Sequence, residues 1–246
     1  MHMPRVCVAI GVLAVVVGLL APARADLPVA SVEALRPIFG RMLGDPPVMR
    51  MDVVPDLYEG GYARVSVYAQ RAAVGGMRVD ELWIRLTGAS VDPAELRQGT
   101  LKVLRVLDSG LYGKVNLASV EAFLEAQGTV RDVKLTQDSD LIDAKGTMLL
   151  SGALVRVRMR GVFQVSGDPE IYFHIESLFV NSLPLPTAVV DRLERSMNPV
   201  VDFRTWPVAF KIRSLRSTPD GFVLSSLRDF AQPCNDCGGP ELRLAP

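Results

Sequence analysis

Residues Ala153–Gly167 read ALVRVRMRGVFQVSG. Val155, Val157, Met159, Gly161, Phe163 and Val165 share one parity, and Arg156, Arg158, Arg160 and Gln164 share the other. Side chains of a strand alternate between its two faces, so the stretch predicts a strand with one apolar and one cationic face. It is also long. At about 3.3 Å per residue it spans roughly 45–50 Å, where an ordinary strand has about 5–6 residues. Something apolar must cover that face: a protein core, a partner or a bound ligand.

The pattern extends in both directions. After a turn at SGDPE (Ser166–Glu170), Ile171, Phe173 and Ile175 continue the apolar face. Upstream, Tyr62–Gln70 and Met77–Thr87 alternate around an AAVGG hairpin turn, and Leu101–Leu107, Leu111–Leu117, Val130–Thr136 and Lys145–Leu150 read as further strands. Asp108-Ser109-Gly110 reads as the break between two of them. Downstream, Pro207–Leu215 and Gly221–Ser226 read as strands, the second reached through a TPDG turn. Amphipathic helices are predicted over SVEALRPIFGRML, from a capping Ser119 to Gly128, and from a capping Thr187 to Asn198-Pro199; a short turn follows Asp92-Pro93. The expected class is α+β, antiparallel and strand-dominated. A sheet with one apolar face has to be covered by helices, by a second sheet or by something that is not protein.

The ends of the chain differ from its middle. Arg5, the apolar run Val6–Leu20 and Ala23-Arg24-Ala25 follow the order of a cleavable secretory signal, which makes residues 1–25 a leader and predicts export to the periplasm or cell envelope. The run is short for a membrane span of about 20 residues. Cleavage leaves Cys234 and Cys237 of PCNDCGGP as the cysteines, and a C-x-x-C pair in an exported chain predicts a small disulfide. Metal and redox readings compete, but a second pair of ligands is missing, because His174 is the sole mature histidine. Residues 26–230 are expected to form one domain and 231–246 a loop tail.

Composition and motifs exclude several functions. Lys and Arg number 27 and Asp and Glu 27, so no basic excess draws the chain to nucleic acid. The chain shows no nucleophile elbow, HExxH helix, phosphate-binding loop or dinucleotide fingerprint, and the expectation is a non-enzyme without cofactor or metal. His174 lies on the polar parity of its strand. Asp138, Asp140 and Asp143 miss the calcium-loop spacing and predict a solvated turn. Arg156, Arg158 and Arg160 are either a solvated face or a contact for anionic headgroups.

The stretches LWIRLTGASVDPAELRQG, KVNLASVEAFLEAQG, ALVRVRMRGVFQVSGDPEIYFHIESLFVNSLPLP and WPVAFKIRSLRSTPDGFVLSS, in that order between Leu82 and Ser226, resemble the LmeA-like phospholipid-binding family of exported bacterial proteins. The resemblance implies a tubular-lipid-binding-like fold: a long, highly curved antiparallel sheet wrapped around amphipathic helices, with a lipid cavity between them. The mid-strand Gly161 suits a bend in such a sheet. On this reading acyl chains lie against Phe163, Val165, Ile171, Phe173, Ile175, Val189, Leu193, Met197, Phe210 and Ile212, and Arg156, Arg158 or Arg160 meets the headgroup of a phospholipid or similar amphiphile, with transient membrane contact. The alternative is an envelope scaffold whose apolar faces are filled core.

Overall fold

The computed structural model describes residues 32–128, 130–150, 153–165, 169–208 and 210–226. The expected leader over 1–25, the tail with Cys234 and Cys237, and Ser166–Asp168 of the SGDPE turn lie outside these residues. Helix α1 (Val32–Met42) keeps Pro37 inside it and buries Leu35, Ile38 and Phe39. Strand β1 (Val48–Pro55) follows, then β2 (Gly61–Val74) and β3 (Met77–Val91). The latter two are joined by Gly75-Gly76, both at positive φ, the geometry a two-residue hairpin turn demands. Asp92 caps α2 (Pro93–Arg97) by accepting from the Ala94 amide at 3.0 Å, as Asp-Pro predicts.

Strand β4 (Val103–Arg105) is short, and β5 runs from Asp108 to Asn116. Asp108-Ser109-Gly110 therefore opens a strand instead of separating two, because Asp108, Ser109 and Gly110 pair with Thr87, Leu86 and Arg85 of β3. Helix α3 (Leu117–Ala126) is capped by Asn116, whose side chain accepts from the Ser119 amide at 2.7 Å. Ser119 is thus buried inside the first turn, and the capping role expected of it belongs to Asn116, three residues earlier.

A second set of strands comes next: β6 (Val130–Asp138), β7 (Leu141–Leu150), β8 (Ala153–Val165), β9 (Glu170–Val180) and β10 (Leu183–Pro184). Helix α4 (Thr187–Met197) starts after Pro186 with no side-chain cap, so Thr187 is its first residue and does not cap it. The chain closes with β11 (Val201–Asp202), a 3-10 turn at Phe203–Thr205, β12 (Ser214–Thr218) and β13 (Gly221–Ser225). The strand expected over Pro207–Leu215 exists only from Ser214. Phe210 and Ile212 are fully buried and alternate with exposed Lys211 and Arg213, but this segment is not a ladder strand, and it reaches β13 through the Arg213 amide, which donates to the Ser225 carbonyl at 2.9 Å. Alternation records burial and is silent about hydrogen-bonded neighbours.

The strands form two antiparallel sheets. The first has the order β1-β2-β3-β5-β13-β12, with β4 on β3; the second has the order β10-β9-β8-β7-β6, with β11 on β9. The resemblance implied one long sheet wrapped around helices. The structure has two sheets that do not close, because the chain leaves the first after β5, builds the second, and returns to pair β13 with β5. One apolar cluster takes residues from the inner faces of both, including Ile84, Leu111 and Phe222 from the first and Ile142, Ile171 and Phe173 from the second. Full burial of each such side chain stabilises the fold by about 1.5–3 kcal/mol. Trp83, Tyr112 and Val223 form a separate cluster on the other face of the first sheet.

Candidate functional site

Strand register shows what the long apolar face meets. Val157, Met159, Gly161, Phe163 and Val165 of β8 lie opposite Val180, Leu178, Ile175, Phe173 and Ile171 of β9, all on the inner face. The register shifts between Arg160 and Gly161, with Glu176 as the extra residue of a bulge. A Cβ at Gly161 would stand 2.2 Å from the His174 carbonyl oxygen, so only glycine lets the strands approach there. On one side of the bulge the face is filled. The Phe163 ring meets Phe173 and Phe222, each at a centroid distance of 4.9 Å in an edge-to-face contact.

On the other side of the bulge the face opens into a cavity of about 410 Å³. Its floor is Val157 and Met159 of β8, Ala144, Gly146 and Met148 of β7, and Val130 and Val133 of β6. Phe123 and Leu124 of α3 form one wall, and Leu193 and Met197 of α4, with Pro199 and Val200, form the other. Gln127, Lys145 and Ser196 are its polar members. A mostly apolar hollow with a few polar groups at its margin is the usual constitution of a site for an organic ligand, and its volume falls within the common range of about 300–1,000 Å³.

The two walls are held in place by one device used twice. Strand β6 is an edge, and its outward amides need acceptors. Glu125 accepts from the Val133 amide at 2.8 Å, and Glu121 accepts from the Leu135 amide at 2.8 Å. One helical turn separates these carboxylates, so α3 lies along β6 with Phe123 and Leu124 over the sheet. On the opposite edge, β10 and β11 pair with the two ends of β9 and leave its middle free. Asn198 fills the gap: it accepts from the Phe173 amide at 2.7 Å and donates to the Phe173 carbonyl at 2.9 Å. Glu194 accepts from the Ile175 amide at 3.4 Å and meets the His174 ring at 3.0 Å. These contacts fix α4 with Leu193 and Met197 toward the cavity.

The other face of the second sheet is cationic. Arg158 bonds Asp143 in a bidentate pair, and Arg160 lies 3.7 Å from the same carboxylate. The Arg158 guanidinium holds the Asp143 carboxyl below the usual carboxylate range. Arg156 is exposed and makes no ion pair among the described residues. Lys145, Thr147, Arg156, Arg158 and Phe179 line an outer groove of about 500 Å³. Lys145, Gly146 and Val157 line both this groove and the inner cavity. Another hollow of similar volume lies between β4 and the 207–213 segment, rimmed by Arg105, Lys211 and Arg213. It lacks the continuous apolar wall that two helices give the inner cavity.

The residues singled out in sequence therefore scatter. Leu193 and Met197 line the cavity. Phe163, Val165, Ile171, Phe173 and Ile175 share its sheet face but belong to, or pack against, the protein core beyond the bulge. Phe210 and Ile212 are fully buried in that core, and Val189 is exposed on α4. Arg156 and Arg158 line the outer groove, whereas Arg160 does not. His174 is an exposed strand histidine, on the polar face its parity predicts. Sequence reading put Val157 and Met159 on the apolar face of their strand but did not name them as contacts, and it missed Phe123, Leu124, Met148 and Lys145. The apolar spacing of Val120, Phe123 and Leu124, and the alternation of Ile142, Ala144, Gly146 and Met148, were the signals that mark them.

Among known families, the model of the LmeA-like phospholipid-binding family matches residues 51–226. That match takes in both sheets from β1 onward and both cavity helices, and the chain belongs to this family. No curated protein and no solved structure matches the chain.

Proposed function

We propose that this member of the LmeA-like phospholipid-binding family is an exported cell-envelope protein that carries a phospholipid or similar amphiphile, with acyl chains in the cavity between α3, α4 and the second sheet, and that it breaks no bond. The observation that carries the reading is the apolar floor of Val157, Met159 and Met148, which two helices frame without filling. Covering that floor with acyl chains contributes about 25 cal/mol per Å² of apolar area removed from water. Leu193, Met197, Phe123 and Met159 are the proposed chain contacts. Phe163, Phe173, Ile171, Ile175 and Val165 form the packed foundation beside them, and the buried Phe210 and Ile212 support it from the core. Lys145, at the border between cavity and outer groove, meets the headgroup phosphate, with Arg156 and Arg158 beyond it. On this reading the sheet curving past α3 and α4 is a tubular-lipid-binding arrangement with the lipid between sheet and helix. Export rests on the leader over residues 1–25.

The test is native mass spectrometry of the mature protein, with organic extraction of what co-purifies. A stoichiometric phospholipid, displaced when Met159 is enlarged to Trp, bears the proposal out. A lipid-free mass that stays unchanged after incubation with mixed liposomes overturns it and leaves the scaffold reading.

A further inference from the structure

The hairpin that floors the cavity ends in exposed leucines. Building on the lipid-binding reading, we propose that the β7–β8 end of the second sheet docks on an anionic phospholipid membrane through Leu149 and Leu154, with Arg156 and Lys145 at the level of the headgroups. Leu149 and Leu154 are cross-strand partners and are 66% and 69% exposed. Water-exposed leucines grouped at one end of a molecule mark a contact surface.

Charge selects the partner. On the face that carries Leu149 and Leu154, the next cross-strand pairs are Thr147 with Arg156 and Lys145 with Arg158. They stand about 7 Å and about 13 Å behind the leucine pair. Arg131 pairs with Thr147 from β6. The carboxylates nearby are Asp132, which accepts from the Thr147 hydroxyl at 3.0 Å, and Asp143, which is held by Arg158 and Arg160. Arg131, Lys145 and Arg156 therefore leave a cationic surplus. An apolar tip that enters the acyl boundary by about 5–10 Å sets Arg156 at the phosphates, where each basic side chain contributes about 1 kcal/mol on an anionic surface. Met148 lines the cavity and adjoins Leu149 in sequence, so docking sets the cavity beside the bilayer that supplies or receives its lipid.

Flotation of the mature protein with phosphatidylcholine vesicles, and with vesicles containing phosphatidylglycerol, tests the surface. A cyclodextrin-delivered fluorescent phospholipid reads the cavity separately. Wild type is expected to float with anionic vesicles, and less as salt rises. The double variant Leu149→Ser/Leu154→Ser loses vesicle binding about tenfold or more while taking up the fluorescent lipid as wild type does. Arg156→Gln/Lys145→Gln loses the preference for anionic over neutral vesicles. Equal flotation of the leucine variant and wild type overturns the docking surface. So does a wild type that takes up lipid but never floats, or one whose leucines instead join two copies, seen as a dimer that the variant turns to monomer without change in flotation. A wild type that floats through its leucines but takes up no lipid keeps the surface and overturns the cavity reading.

Discussion

Phe163 and Met159 stand on the same face of the same strand, four residues apart, and they meet different things. Phe163 faces Phe222, which the returning C-terminal hairpin brings from the first sheet, and its half of the face is closed. Met159 borders the cavity instead. Among the described residues, the helices that carry Phe123, Leu193 and Met197 stand across from it, and a space stays open between. Between the halves, Gly161 and the Glu176 bulge bend the sheet. Among the described residues, the same apolar parity thus builds a core where a second sheet lies opposite and leaves a hollow where two helices, tethered at the sheet edges, do.

Removing packing from the closed half is expected to have the largest effect. Phe173→Ala deletes a buried ring that touches Phe163 and costs about 3–5 kcal/mol of stability, read by urea denaturation. An effect below about 1 kcal/mol would mean this half is no better packed than the other. The open half should respond the opposite way. Met159→Trp fills the hollow, leaves stability within about 1 kcal/mol, and weakens binding of a fluorescent phospholipid about a hundredfold. A matching loss of stability would place Met159 in packed core.

The helix tethers come next. Glu125→Ala leaves the Val133 amide without its acceptor and costs about 1–3 kcal/mol, whereas Glu125→Gln keeps an acceptor and recovers most of it. Hydrogen exchange at Val133 checks the site directly. The smallest effect is expected on the outer face. Asp143→Asn removes a pair with the half-exposed Arg158, worth below about 1 kcal/mol. Because folding lowers the Asp143 pKa, the pair stabilises above the unfolded carboxyl value of about 3.9, and that contribution is lost as pH falls through the lower folded value. Melting curves of variant and wild type should therefore separate at neutral pH and converge in strong acid.

Much of the fold was legible because alternation and capping are local. The cationic and apolar parities of β8, the Gly75-Gly76 turn and the Asp92 cap all follow from residues within a few positions of one another. The cap of α3 was misassigned because Ser119 and Asn116 both suit a cap, and only the path of β5 into the helix chooses between them. The site was less legible. Leu193 and Met197 were found through helical spacing, but Phe123 and Lys145 were not, since nothing near them in sequence tells which strand edge their elements flank.

Sequence by itself determined which side chains of the β8 and β9 strands face inward, where the helices lie and that the Ala153–Val165 strand is long, because each rests on the periodicity of one element. Only the tertiary structure decided that there are two sheets, that Phe163 is packed, and that Met159 borders a hollow. Those outcomes depend on β13 pairing with β5 across more than a hundred residues, and on carboxylates and an asparagine that satisfy the amides of two strand edges. Burial is a property of one residue and its parity. What covers the buried face is set by another part of the chain.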